Sequence, residues 1–195
     1  MAFFPAVSSL PPPAPPKQPA YLAVALTVAW FLGLTTVQEG YVALRLVRDP
    51  LSVDSLGLPG RVAEALVDGV MASSQTALPV SLAQFLLGGL LVVVSAGLLF
   101  GARIPVAFAV QVISVNLVFA GFAYYMNEPM RRGIIDALLS LQPADMQPAL
   151  QHDTYVWGFR VGLGLHMAAL GLSVLALTRP GVRHFLAQSA PPRES

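Results

Sequence analysis

Four apolar segments, each long enough to cross a lipid bilayer, constrain the fold of this chain more than any other feature. They cover about residues 20–44, 79–101, 104–126 and 155–178. A helix needs ~20 predominantly apolar residues to cross about 30 Å of hydrocarbon. Only α-helices and closed β-barrels satisfy all backbone hydrogen bonds in lipid, and these segments lack the two-residue alternation of barrel strands. The sequence therefore predicts an all-α membrane protein in which four transmembrane helices form a bundle.

The composition agrees with this class and removes several others. Charged residues make up 11% of the 195-residue chain, whereas a soluble domain carries about 25%. The formal net charge is +1 and the basic residues are scattered, so we expect no nucleic-acid partner, which would need clustered Lys and Arg. The chain contains no cysteine, which excludes disulfides, Fe–S clusters and thiolate nucleophiles.

The four segments also predict how the chain is divided and oriented. Residues 1–19 contain PPPAPP and predict a disordered Pro-rich tail, residues 20–178 form the membrane domain, and residues 179–195 form a flexible tail. A short turn joins the second and third spans, whereas the loops 45–78 and 127–154 are long. Basic residues are denser on the short-loop side, which favours that side as cytoplasmic. Arginine far outnumbers lysine, which favours a bacterial source. We therefore expect a bacterial inner-membrane protein with both termini cytoplasmic.

Each long loop carries an amphipathic pattern. Apolar residues recur at helical spacing in both loops: Val62, Leu66 and Val70 in the first, and Met130, Ile134, Leu138 and Leu141 in the second. Asn127 is suited to the N-cap of the second pattern, and Arg132 and Asp136 form an i,i+4 pair. The loops therefore predict two extracytoplasmic helices that lie on the membrane or over the mouth of the bundle.

Polar side chains inside the predicted spans are the candidate functional residues, because burial of such groups in lipid is costly. They are Glu39, Gln84, Asn116, Arg160 and His166. The first layer, near the long-loop surface, holds Glu39, Gln84 and Arg160. A second layer near the midplane holds Asn116 and His166.

Two contacts are expected from these depths. Glu39 and Arg160 have opposite charge at matching depth, so an ion pair between the first and fourth spans is the hypothesis, with separate snorkelling to the surface as its alternative. His166 is expected to form a hydrogen bond with Asn116 or with a backbone carbonyl. A proton relay through His166 is the functional alternative, because histidine titrates near neutral pH.

No cofactor is predicted from the sequence beyond contacts with lipid. A haem held by two histidines would need a second histidine within the spans, and His152 and His184 lie outside them. The patterns GFRVG (Gly158 and Gly162) and GLLFG (Gly97 and Gly101) are GxxxG motifs, which indicate close helix packing within the chain or between copies.

Catalytic motifs are missing from the sequence. HExxH, GxSxG, P-loop and GxGxxG patterns are all absent, and no catalytic or metal-ligating residue is predicted. This favours a small polytopic protein that acts as a non-catalytic accessory or scaffold subunit of a membrane assembly. Its expected partners are the lipid bilayer and other membrane-protein subunits or a homo-oligomer. Two alternatives stay open: an oligomeric channel or transporter that uses the intramembrane polar residues, and a membrane enzyme or redox subunit.

Overall fold

The computed structural model describes residues 19–49, 57–72, 74–140, 148–182 and 185, and within them the chain is all-helical. The helices are α1 (Ala20–Arg48), α2 (Gly60–Ala72), α3 (Ser74–Leu99), α4 (Val106–Met126), α5 (Glu128–Ser140) and α6 (Pro148–Thr178). Four of them, α1, α3, α4 and α6, are long and apolar enough to cross a membrane. The predicted all-α, multi-pass membrane character is therefore confirmed.

The spans lie where the sequence places them, but two helices begin earlier than predicted. α3 begins at Ser74, so that Pro79 lies inside the helix. α6 begins at Pro148, and proline is well suited to a first helical position because the missing N–H is unpaired there anyway. The connection from α4 to α5 is the single residue Asn127, whose carbonyl accepts a hydrogen bond from the Arg131 N–H at 3.0 Å. The described parts of the long loops are therefore largely helical.

Several predictions fall on residues outside the described part of the chain. These are the Pro-rich tail as far as residue 18, Leu141 in the second apolar stripe, and residues 186–195 of the other tail. At the start of that tail, Val182 is fully buried and Phe185 packs on the main hydrophobic core.

α1 and α3 contact each other along much of their length, and glycines make this possible. A Cβ added at Gly40 would lie 2.6 Å from the backbone nitrogen of Phe85, and one added at Gly88 would lie 2.9 Å from that of Val37. The obstacle is backbone in both cases. These glycines therefore let the two helix backbones approach each other, as small residues do between membrane helices.

The GxxxG motifs found in the sequence do not have this role within the described chain. A Cβ at Gly158 or Gly162 would have no neighbour within 4 Å, and one at Gly97 would meet the side chains of Ile104, at 2.5 Å, and Ala102, at 3.5 Å, which follow α3 in the short turn. The close contact between α1 and α3 uses glycines outside these motifs, among them Gly33 and Gly40, which are seven residues apart on α1.

The main hydrophobic core lies at the end of the spans that carries the short α3–α4 turn. It is built from the N-terminal turns of α1 and α4, the C-terminal turns of α3 and α6, and one residue beyond α6. Its members are Leu22, Leu26, Ala29, Leu91, Val94, Leu98, Ala109, Val112, Ile113, Leu170, Leu177 and Val182. The Ser173 hydroxyl donates a hydrogen bond to the Ala25 carbonyl at 3.1 Å and so joins α6 to α1 at this end. The four helices are therefore closely packed at one end.

α2 and α5 pack on each other at the opposite end. A Cβ at Gly69 of α2 would lie 2.6 Å from the Met130 Cα of α5, and Val62 and Ile135 are buried. A smaller apolar cluster centred on Leu46 joins α2 and α5 to α1 and α3. Both amphipathic patterns thus form helices that cover this end of the molecule.

One predicted contact on α5 is wrong in detail. Arg132 forms its ion pair with Glu128, four residues before it, rather than with Asp136, four residues after it. The two pairings have equal sequence spacing. Glu128 also lies in the first turn of α5, where a negative charge is favoured by the helix dipole.

Candidate functional site

A cavity of about 590 Å³ lies between the main core and α5, where the spans diverge. Its walls come from α1, α3, α4, α5 and α6. Its lining residues are Thr36, Glu39, Gln84, Asn116, Phe119, Ala120, Ala123, Tyr124, Asn127, Met130, Arg131, Thr154, Tyr155, Gly158, Phe159, Gly162, Leu163 and His166. We call it the central cavity.

Four of the five polar residues singled out in the sequence line this cavity. Glu39 comes from α1, Gln84 from α3, Asn116 from α4 and His166 from α6. The two polar layers expected from depth are therefore parts of one site, while Arg160 is absent from its lining. Since the surrounding walls are mostly apolar or aromatic, these four groups supply most of the polar chemistry within the spans.

Asn116 is the most firmly held of the four. Its side chain is 5% exposed. Its Nδ2 donates hydrogen bonds to the carbonyls of Leu87 on α3, at 3.2 Å, and of Val112 on its own helix, at 2.9 Å. An amide nitrogen has two hydrogens, and both are used. The group that Asn116 can still offer to a ligand is the acceptor Oδ1.

The other three polar groups have no partner within the described residues. Gln84 is buried and His166 half-buried, yet neither forms a hydrogen bond there, and Glu39 forms neither a hydrogen bond nor an ion pair. The expected bond from His166 to Asn116 or to a carbonyl is therefore wrong. The divergence of the spans explains this, because it leaves the imidazole facing open space rather than a packed neighbour.

The expected Glu39–Arg160 ion pair is also wrong. In the ranges that the structure describes, the ion pairs are Arg132–Glu128 and His152–Asp153. Arg160 lines a different cavity, beside α5, and its guanidinium carbon lies 5.8 Å from the centre of the Trp157 ring. Matching depth put the two charges at one level of the membrane, but the rotation of α6 about its axis points them to different cavities.

The rim near α5 contains groups that the sequence reading missed. The Arg131 guanidinium lies 3.5 Å from the centre of the Tyr124 ring and donates a hydrogen bond to the Tyr124 carbonyl.

Gly158 and Gly162 precede His166 by eight and four residues, so all three share one face of α6. This spacing was a signal in the sequence that the glycines face the same space as the histidine.

The central cavity is open to the outside of the protein. Several of its lining residues are also exposed, and they lie on α1 (Glu39) and on α6 (Gly158, Phe159, Gly162). The contacts between α1 and α6, in contrast, lie near the main core, where Ser173 bonds to Ala25. The opening therefore lies between α1 and α6, on the side of their contact that is nearer to α5.

The arrangement is suited to holding a small molecule. Its lining combines one carboxylate, three side-chain amides, an imidazole and the Arg131 guanidinium with aromatic and aliphatic walls, as ligand sites commonly do. Among the described residues, no three histidine, aspartate or glutamate side chains are grouped so that they could hold a metal ion.

No family model, curated protein or solved structure matches this chain.

Proposed function

We propose that this chain is a bacterial inner-membrane protein whose four spans form a bundle, with both termini cytoplasmic, and that it binds a small amphipathic molecule in the central cavity. The observation that carries the proposal is the convergence of Glu39, Gln84, Asn116 and His166, from four different spans, on a cavity of about 590 Å³. Pockets of about 300–1,000 Å³ with few convergent polar groups are typical small-molecule sites.

The physical reason is that the cavity contains polar groups without protein partners. Gln84 and His166 line it and form no hydrogen bond with any other described residue. A ligand with hydrogen-bonding groups at one end would pair with them, and its apolar part would contact Phe119, Phe159 and Leu163. Asn116 adds an acceptor at fixed position, which favours a ligand with a donor at that point.

Binding is favoured over passage of ions through a single copy. The main core closes the path below the cavity with fully buried side chains, among them Leu26, Leu91 and Ile113. A solute could cross only if these helices parted or if a pathway ran between copies in an oligomer. A transporter that opened in this way would use the same cavity. Transport would therefore require the proposed binding and, in addition, a movement of the helices.

The experiment uses glycines that face the cavity. A Cβ at Gly162 meets no atom within 4 Å, so Gly162→Leu fills cavity space without a clash with the protein. Gly164 is equally open but is not part of the cavity lining, so Gly164→Leu is the matched control on the same helix. Both changes raise helix propensity by about 1 kcal/mol. Each full-length protein is purified in nanodiscs, and the small molecules released on denaturation are identified by mass spectrometry.

We expect a molecule that accompanies the wild type and Gly164→Leu but not Gly162→Leu. Asn116→Ala should retain the cavity but weaken binding, because the acceptor is lost. The same molecules at the same occupancy in Gly162→Leu and the wild type would refute the binding proposal, as would the lack of any such molecule in the wild type.

An accessory role in a membrane assembly is the second candidate, and the layer formed by α2 and α5 favours it. This layer exposes Arg61, Glu64 and Asp68 on one face of α2, which could contact a water-soluble domain of another subunit. Co-purification from native membranes with and without Glu64→Lys and Asp68→Lys tests this role. Loss of a specific companion protein in the double variant supports it, and recovery of the wild type alone from several detergents refutes it.

A further inference from the structure

Arg160 is a charged side chain of α6 that does not line the central cavity. It lies inside α6, it is exposed, and it forms no ion pair with another described residue. Its only described neighbour of note is the Trp157 ring, 5.8 Å from the guanidinium carbon. An arginine near the end of a span is stable when its charge reaches water or an anion.

A second cavity of about 490 Å³ lies between α4, α5 and α6 and is lined by four basic side chains. We call it the basic cavity. Three arginines line it, Arg131, Arg132 and Arg160, together with His152. The carboxylate in its lining is Glu128, which is already paired with Arg132. The guanidinium groups of Arg131 and Arg160 are therefore free of carboxylate partners in the described structure.

The position of the basic cavity is that of a membrane interface. Tyr124 and Tyr125, at the end of α4, line it, and Trp157 lies beside Arg160. Tyr and Trp are enriched where hydrocarbon meets head groups. The remaining walls are apolar and come from Ile135, Val156 and Phe159. One side of the cavity thus offers cations and the other offers apolar surface.

We infer that the basic cavity binds the phosphate head group of an anionic lipid. Guanidinium groups bind phosphate oxygens through paired N–H donors. The lipid source is favoured over free phosphate because Arg160 lies within the span and because apolar walls continue from the cations along α6, where the start of an acyl chain would lie. The basic cavity shares Tyr124, Arg131 and Phe159 with the central cavity, but Arg132, His152 and Arg160 do not line the central cavity. A change at Arg160 therefore tests the basic cavity without altering the lining of the central one.

The test uses the full-length protein in nanodiscs of phosphatidylcholine, prepared with and without phosphatidylglycerol. Native mass spectrometry counts the lipids retained, and thermal unfolding gives the shift in Tm on addition of phosphatidylglycerol. Arg160→Gln removes one cation from the cavity. Arg48→Gln is the matched control, because Arg48 is exposed at the long-loop end of α1 and lies outside the basic cavity.

We expect Arg160→Gln to weaken retention of phosphatidylglycerol about five-fold, the effect of one cation near an anionic head group, while Arg48→Gln retains the wild-type level. Arg160→Lys keeps the charge and should restore most of the retention, which separates loss of binding from loss of folding. Equal retention by all three variants, or equal loss in Arg160→Gln and Arg48→Gln, would overturn the assignment.

Inorganic phosphate provides the second arm. It is added to the wild type in nanodiscs of phosphatidylcholine alone, and Tm is measured again. No shift is expected, because the free ion lacks the apolar part that contacts Val156 and Phe159. A shift as large as that given by phosphatidylglycerol, and sensitive to Arg160→Gln, would overturn the lipid assignment in favour of a soluble phosphate.

Discussion

The side-chain amide of Asn116 on α4 donates a hydrogen bond to the backbone carbonyl of Leu87 on α3, at 3.2 Å. This bond joins two neighbouring spans at the depth where the main core ends and the central cavity begins. The same nitrogen donates to the Val112 carbonyl of α4 at 2.9 Å. Asn116 therefore holds two helices together and also presents its remaining acceptor to the cavity.

Asn116→Leu should lower the free energy of unfolding by about 0.5–2 kcal/mol, the range for a hydrogen bond between membrane helices. Gln111→Leu is the control, because Gln111 is exposed on the same helix and forms no hydrogen bond with another described residue. Unfolding by sodium dodecyl sulfate in mixed micelles measures both. Equal stability of the two variants would show that the bond to Leu87 contributes nothing.

The adjacent glycines Gly88 and Gly89 should respond in opposite directions to alanine. A Cβ at Gly88 would lie 2.9 Å from the Val37 nitrogen and 3.0 Å from the Gly33 oxygen, whereas one at Gly89 meets nothing within 4 Å. Gly88→Ala should therefore destabilise the protein by about 1–3 kcal/mol through overpacking of α1 on α3. Gly89→Ala should be neutral or stabilising by up to about 1 kcal/mol. The same unfolding assay measures both variants. A Gly88→Ala variant as stable as the wild type would contradict the close approach of α1 and α3.

Gly69→Ala should separate α2 from α5. The added Cβ would lie 2.6 Å from the Met130 Cα, which cannot move without its helix. We expect faster amide exchange in α2 and α5, with the spans unaffected. Gly60→Ala, which adds a Cβ to open space at the start of the same helix, should leave the exchange pattern unchanged. Uniform acceleration across all helices would instead indicate general destabilisation.

Glu39 and Arg160 should behave as independent residues. They line different cavities, and the described structure has no ion pair between them. A double-mutant cycle with Glu39→Gln and Arg160→Gln, measured in phosphatidylcholine, should give an interaction energy below about 0.5 kcal/mol. A value of roughly 1 kcal/mol or more would mean that the two charges meet, and that the rotation of α6 differs from the one described here.

The proposed orientation can be tested with single cysteines, because the chain has none of its own. Ser140 is exposed at the end of α5, and Ala102 is exposed in the turn between α3 and α4. Ser140→Cys should react with a membrane-impermeant maleimide in intact cells, and Ala102→Cys only after lysis. The reverse pattern would place the termini outside the cytoplasm.

Much of the fold could be predicted from local features of the sequence. The four spans follow from the length and polarity of apolar runs, and α2 and α5 follow from apolar residues at helical spacing. The starts of α3 and α6 were predicted too late, because Ser74 and Pro148 precede the apolar runs and hydropathy does not mark the turns of helix that lie before a span.

The candidate site could be predicted only in part. Depth along each span singled out Glu39, Gln84, Asn116, Arg160 and His166, but it paired Glu39 with Arg160 and His166 with Asn116 or a backbone carbonyl. Depth is a coordinate along the helix axis and carries no information about rotation around it. The contacts of Arg131 and Tyr124 at the rim depend on the packing of α4 against α5, which sequence spacing does not reveal.

The sequence by itself determined the number of spans, the presence of two amphipathic helices and the residues that can supply polar chemistry, because each depends on a short stretch of chain. The tertiary structure decided which of those residues share a cavity. A span that is apolar on all sides gives no sign of which face meets protein and which meets lipid. Close contact at Gly40 and Gly88, and divergence of α6 from α1 above Ser173, fix those faces. They bring four polar groups into the central cavity and leave Arg160 in the basic cavity.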